Sequence, residues 1–261
     1  MIVWFNSQAS VETIGRKGFN LCRMTQASLP VPGGFCVTVE GLASIGVQEL
    51  DGALEQLGAG ALAVRSSAVE EDALSASFAG IYATRLNVVT SEEVLEALRE
   101  IRDSASTPSA IAYRRQRGIA GAPRMAAVVQ TLLVPDASGI LFMKDPVAGS
   151  DRIVVEGSWG LGEAVVDGKV TPDHWVLSHT GEVISFDIAD KDIAIVPGKS
   201  GTRQIEVDHA RRKLPCLDAG RLMRLLELGC ACKQLFGAPQ DIEWATTSDQ
   251  VWLLQSRPIT R

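Results

Sequence analysis

Leu21 and Met24 recur at helical spacing along residues 17–27, and the run Leu29-Pro30-Val31-Pro32-Gly33-Gly34 then supplies the stop that proline and glycine impose. A short helix is predicted there. Phe35, Val37 and Val39 alternate with Cys36 and Thr38, which is the period-two pattern of a strand with one buried face. A second strand is predicted over Leu62-Ala63-Val64-Arg65. Residues 66–80 are rich in Ser, Ala and acidic side chains and residues 81–88 are β-prone, so the first read as an exposed loop feeding a strand. Thr90 and Glu93 have the spacing of a capping box, and Val94, Leu98 and Ile101 form the apolar stripe of the helix it would start.

Beyond a Gly, Ala and Pro cluster at 118–123 the chain becomes strongly β-like, with strands predicted over 125–134, 139–143, 152–156 and 175–177. Leu222, Leu225, Leu226, Gly229 and Phe236 line one side of a late helix that Gly237-Ala238-Pro239 breaks. Residues 241–257 read as a hairpin turning around 246–249. The expected organisation is α+β in two lobes, 1–130 and 131–261.

Composition narrows the picture. With 261 residues, 46% of them hydrophobic, the chain can bury a real core. No apolar run reaches the roughly 18 to 20 residues of a bilayer span, and Met1-Ile2-Val3-Trp4-Phe5 lacks the basic start of a leader, so the expectation is a cytoplasmic protein without a membrane partner. A net charge of −6 disfavours a nucleic-acid binder. The five cysteines are odd in number and form no pair of C-x2-C motifs, which points to reduced, buried thiols; Cys230 and Cys232, two apart in a helix, face different ways.

Four features could carry chemistry. Glu156-Gly157-Ser158-Trp159-Gly160-Leu161-Gly162-Glu163 is a glycine-rich turn after an apolar strand, where backbone N–H groups can approach an anion or where the chain simply reverses. The hairpin gathers Asp241, Glu243, Gln255 and Arg257. Gln255 and Arg257 share a face, and a three- or five-residue turn puts Glu243 with them, whereas a two- or four-residue turn puts it on the other side. A carboxylate beside an amide oxygen suits Mg²⁺, and an arginine fork suits phosphate, although the same residues could form a surface salt bridge. Lys17, between Gly15 and Gly18 at a helix start, is electrostatically unfavourable unless an anion binds nearby; a solvated surface lysine is the plainer alternative. Arg65, at the end of an apolar strand before Ser66-Ser67, binds phosphate or pairs with Glu70, Glu71 or Asp72.

Taken in order, these segments resemble one family. Gly15-Arg16-Lys17-Gly18-Phe19-Asn20-Leu21 with residues 29–35, Val64-Arg65-Ser66-Ser67-Ala68, Glu71-Asp72 and Ala76-Ser77-Phe78-Ala79-Gly80 are similar to the opening and the phosphate-covering segment of the nucleotide domain shared by phosphoenolpyruvate synthase, pyruvate phosphate dikinase and rifampin phosphotransferase. Residues 158–163, Thr171-Pro172-Asp173, Asp241-Ile242-Glu243-Trp244 and Gln255-Ser256-Arg257-Pro258-Ile259-Thr260 complete the series over nearly the whole chain.

The resemblance implies an α+β, ATP-grasp architecture of two lobes with the nucleotide in the cleft between them. It implies that Lys17 and Arg65 neutralise the polyphosphate, Gly80 and Thr84 line the covering loop, Gln130 meets the adenine or ribose, Glu243 and Gln255 hold Mg²⁺, and Arg257 stabilises the charge developed in phosphoryl transfer. The implied ligands are ATP and Mg²⁺. The implied reaction is transfer to an unknown small-molecule acceptor or to a histidine on a separate phosphohistidine-domain protein; a non-catalytic nucleotide-binding module and an ATP-dependent ligase are the alternatives. Two departures stand out: the chain stops at Arg261 with no histidine in a mobile-domain motif, reading as a free-standing nucleotide domain, and it is short between Glu40 and Leu62. Glu163, Asp173 and His174 are the acid–base candidates nearest the glycine-rich turn.

Overall fold

The computed structural model describes residues 1–58, 60–70, 82–248 and 250–259. They form two compact units: Met1–Ser28 with Pro32–Leu132, and Leu29–Val31 with Leu133–Ile259.

The first unit is built on an antiparallel sheet, order β1-β2-β5-β3-β4, with β1 Ile2–Trp4, β2 Gly34–Val37, β3 Leu62–Ala68, β4 Thr84–Val88 and β5 Met125–Thr131. One face packs Val64, Ala127 and Val129 against α2 (Val47–Leu57) and α3 (Ser91–Ser104), whose Leu50, Val94, Leu98 and Ile101 are buried. The α3 start is as its sequence predicts: Thr90 Oγ1 accepts the Glu93 N–H at 3.2 Å, and Glu93 Oε2 accepts the Val89 and Thr90 N–H groups, which holds the Glu93 carboxyl below its usual range. Helix α4 (Pro108–Gln116) starts on Thr107 in the same way.

The opposite face carries α1 (Val11–Gln26), which kinks at Gly15, where φ is +69°. A Cβ at Gly15 would stand 1.9 Å from the Ser67 carbonyl oxygen, and one at Gly18 would stand 2.6 Å from Cys36 Sγ. Only glycine lets this helix lie so close to the sheet. Ser67, expected in a loop, is instead in β3, because its hydroxyl has two partners there: it donates to the Ile14 carbonyl at 2.8 Å and accepts from Gly18 N–H at 3.0 Å.

The second unit is a six-stranded antiparallel sheet, order β13-β12-β6-β7-β8-β9. Its strands are β6 Ala137–Phe142, β7 Ile153–Trp159, β8 Asp173–Leu177, β9 Val183–Asp187, β12 Gln240–Thr246 and β13 Val251–Pro258. Helix α6 (Ala219–Phe236) covers one face through Leu222, Leu225, Leu226 and Gly229, which lies against Leu141 and Met143. Between these elements stand a single helical turn, α5 (Glu163–Val166), and a separate hairpin, β10 (Ile193–Pro197) with β11 (Thr202–Glu206). Pro30 joins this unit by accepting the Leu253 N–H at 2.8 Å.

All five thiols are free. Cys232 is buried and Cys230 exposed, so the two do face different ways, but the expectation of uniformly buried thiols fails at Cys230. Burial pushes the Cys232 thiol up to about 12 and raises Cys216 further, which makes both inert. No helix among the described residues is long and apolar enough to cross a membrane.

Two glycines predict opposite responses. A Cβ at Gly157 in β7 would sit 2.7 Å from the Trp244 ring and 3.0 Å from Cys216 Sγ, so Gly157→Ala is expected to cost about 1–3 kcal/mol in denaturant unfolding. Gly52, inside α2 with open space around it, is expected to gain about 0.5–1 kcal/mol as Gly52→Ala in the same measurement.

Candidate functional site

Strand register decides which of the candidate side chains meet. In the first unit Arg65 pairs directly with Thr84 on β4 and with Val128 on β5, and Gln130 pairs with Ala63 and Gly34. Directly opposed residues point to the same face, so Arg65, Thr84 and Gln130 share the face on which α1 lies with Lys17. Lys17 is only 7% exposed, which removes the plain reading of a solvated surface lysine. Glu70, one of the partners considered for Arg65, is engaged by Arg114 at 3.4 Å and Arg124 at 3.5 Å. Gly80, Glu71 and Asp72 lie outside the described residues.

Gln130 is 1% exposed and its Nε2 has no hydrogen-bond partner among the described residues. A buried amide donor left unmatched costs roughly 1–3 kcal/mol, and a ligand acceptor is the usual remedy at a binding face. This orphaned donor fits an adenine or ribose acceptor group.

In the second unit the hairpin of β12 and β13 turns through the four residues between Thr246 and Val251. That length alone would place Glu243 away from Gln255. A β-bulge intervenes: Trp244 pairs with Leu253 but Glu243 pairs with Gln255, so Leu254 is the extra residue and the register shifts by one. Glu243, Gln255, Asp241 and Arg257 therefore share one face. The other face buries Ile242, Trp244, Leu253 and Ser256.

Asp241 had no assigned role. It is directly opposite Arg257, and one of its carboxylate oxygens accepts from both Nε and Nη2 of Arg257 at 2.7 Å. Nearly buried, Asp241 fixes the plane of the guanidinium. The salt bridge considered for this hairpin thus exists, as a mount for Arg257. The missing signal was the bulge, without which the Asp241 and Arg257 positions do not register.

A carboxylate paired with an amide oxygen fits Mg²⁺, a hard cation that completes its shell with water and phosphate oxygens. No group of three or more His, Cys, Asp or Glu side chains among the described residues makes a self-sufficient metal cage. Glu243 and Gln255 would hold the cation only with a phosphate ligand to share it.

The glycine-rich turn takes its simpler role. Gly157 to Trp159 belong to β7, and the turn begins at Gly160, whose φ is +78°. Two of its N–H groups are committed internally: Gly160 donates to the Asp136 carbonyl at 3.2 Å and Leu161 to the Ile195 carbonyl at 2.8 Å. A Cβ at Gly160 would stand 2.3 Å from Ile195 O, so this glycine serves the approach of β10.

The three acid–base candidates separate. Glu163 pairs with Lys169 at 3.4 Å and accepts from Thr202 at 3.3 Å. Asp173 lies on the helix-covered side, fully buried with Lys191: Lys191 Nζ is 2.5 Å from Asp173 Oδ1, and Asp173 also accepts the Ala189 and Cys216 N–H groups. His174 is on the side of Glu243 and Gln255, with Nδ1 3.4 Å from Glu156 Oε1.

The chain that carries Lys17 and Arg65 in its first unit and Glu243, Gln255 and Arg257 in its second belongs to a known class. Residues 47–261 match the family of the pyruvate phosphate dikinase AMP/ATP-binding domain, and the chain belongs to that family. It is 36% identical over 304 positions to rifampicin phosphotransferase from Streptomyces sviceus, covering 97% of this chain and 35% of that protein. It is 33% identical over 298 positions to a probable phosphoenolpyruvate synthase from Methanothermobacter thermautotrophicus, covering 94% of this chain and 44% of that protein. The chain thus spans well under half the length of these curated relatives. Among solved structures, PH1788 from Pyrococcus horikoshii covers 95% of this chain and 92% of its own with a TM-score of 0.50 at 12% identity, a likeness of fold alone. The fold is α+β, of the ATP-grasp kind.

The buried pair gives a stability prediction. Lys191→Met strands the Asp173 carboxylate and is expected to cost about 3–5 kcal/mol in chemical denaturation, whereas Lys191→Met with Asp173→Leu is expected to recover most of that loss.

Proposed function

We propose that the chain is a Mg²⁺-dependent phosphotransferase module that moves a phosphoryl group from ATP to a small-molecule acceptor or to a histidine on a separate partner chain, and that it works in the cytoplasm. The observation that carries this reading is the bulge-enforced pairing of Glu243 with Gln255 beside the mounted Arg257. No packing need explains why two metal-type donors and a guanidinium should be brought to the face opposite the apolar side chains of Ile242, Trp244 and Leu253.

In this reading Lys17 and Arg65 neutralise the polyphosphate, and Thr84 and Gly80 serve the segment that covers it. Gln130 donates its orphaned N–H to the adenine or ribose. Glu243 and Gln255 hold Mg²⁺, which would neutralise charge on the phosphate oxygens and fix their orientation. Arg257, held by Asp241, faces the negative charge that grows on the transferring group. Phosphoryl transfer asks a protein for positioning and charge neutralisation more than for covalent help, and this residue set supplies both. The relatives carry names that point to different substrates, rifampicin and phosphoenolpyruvate, which fits a shared stretch that handles the nucleotide half of the reaction.

The test is the product of turnover. Incubated with Mg²⁺ and ATP, with and without cell extract, the chain is expected to form AMP, the mark of dikinase chemistry; ADP would instead indicate a γ-phosphoryl kinase or a ligase. Glu243→Ala is expected to lower turnover by about 10²-fold or more without shifting the unfolding midpoint. Unchanged turnover in that folded variant would sink the metal assignment, and bound ATP without any turnover would favour a regulatory module.

A further inference from the structure

We infer that His174, held by Glu156, is the base that receives the proton of a hydroxyl acceptor; this rests on the proposed phosphotransferase reading. Strand pairing runs without interruption across the second sheet from Gln255 to Glu243, Ile140, Glu156 and His174. Directly opposed residues share a face, so all five side chains stand in one row on the side away from α6. Glu156 is two strand spacings from Glu243, about 10 Å, and His174 is three, about 14 Å. That interval, less the reach of the Glu243 and His174 side chains, leaves room for a phosphoryl group and the hydroxyl that attacks it.

The pair has the form of an oriented base. Glu156 Oε1 lies 3.4 Å from His174 Nδ1, and the two side chains are 31% and 42% exposed, open to a ligand yet in contact with each other. A carboxylate this close to Nδ1 would favour the tautomer with the proton there, which leaves the Nε2 lone pair for the acceptor. The other charged groups facing the imidazole are acidic: Asp187, directly opposite it on β9, and Asp145 after β6, which senses its charge. Asp173 and Glu163, the other candidates, are committed to Lys191 and Lys169.

The step balances simply. The acceptor oxygen forms its bond to phosphorus as the bond from phosphorus to the nucleotide oxygen breaks; the electron pair leaves with the nucleotide, and the acceptor proton passes to His174 Nε2. Water is the smallest hydroxyl acceptor and reaches an exposed imidazole without a partner, so ATP hydrolysis by the chain alone reads the same base.

The experiment measures Mg·ATP affinity, ATP hydrolysis from pH 5.5 to 8.5 and the unfolding midpoint for the wild type, His174→Gln, His174→Gly and Glu156→Gln. Expected are unchanged affinity, an unchanged midpoint in His174→Gln and Glu156→Gln with a modest fall in His174→Gly, where glycine weakens β8, hydrolysis lowered about 10²-fold in His174→Gln, and partial recovery of His174→Gly by added imidazole. The fall in wild-type rate at low pH, as the imidazole takes up its proton, is expected to disappear in His174→Gln. Wild-type hydrolysis rates and pH profile retained in His174→Gln would overturn the inference alone; bound Mg·ATP with no hydrolysis in the wild type would overturn it together with the reading of this chain as a catalyst. Failure of the wild type to bind Mg·ATP would instead remove the underlying phosphotransferase reading.

Discussion

Alternation of side chains along a pleated strand is the constraint on which both units depend. Each sheet spends one set of positions on a helix-packed core, Val64 and Val129 in the first and Leu141 and Ile242 in the second. The intervening positions are then left to carry polar groups, and cross-strand pairing lines them up. Arg65 meets Thr84 because Val64 must face α2 and α3; Glu243 meets Gln255 because Ile242 and Ser256 must face the interior. The chemistry occupies what the core leaves over.

Charge is handled in contrasting ways. Asp173 and Lys191 are wholly buried, yet each is surrounded by partners: two further N–H groups on the carboxylate, a carbonyl on the ammonium, and the Trp159 ring 5.9 Å from Nζ. A saturated pair of this kind fixes geometry and offers nothing to a ligand. Its position, between β8 and the segments leading to β10 and α6, pins the loops to the sheet. Arg257, by contrast, is only partly buried, and an Asp241 carboxylate oxygen that accepts from both its Nε and Nη2 orients its guanidinium.

Much of this was legible in residue patterns. The cap and stripe of α3 and the breakers around α6 follow local rules that tertiary packing did not override, whereas the helix expected to start at Lys17 begins at Val11 and kinks at Gly15. The hairpin was legible in its extent but not in its pairing, since a bulge leaves no mark that a turn length reveals. Strand β9 was missed although Ile184, Ser185, Phe186 and Asp187 alternate, for every one of its residues is exposed and neither face belongs to a core; β10 with β11 was missed because the pair is small and separate. Ser66 and Ser67 read as a loop because the hydroxyl partners that make a strand tolerable to Ser67 lie some fifty residues earlier in α1. The glycine-rich turn misled for a related reason. Glycine marks a close approach without saying whether a phosphate or another strand is approaching, and here it is β10.

The bulge at Leu254 also limits how this hairpin can vary among homologous sequences. Loss or gain of one residue anywhere between Glu243 and Gln255 would turn the donor pair to opposite sides while leaving the strands hydrogen-bonded and the protein folded. Length changes in the turn are therefore tolerable only in twos, or when a bulge appears or vanishes in compensation. A homologue that breaks this parity would keep the architecture and lose the shared face of Glu243 and Gln255 on which the proposed cation site rests.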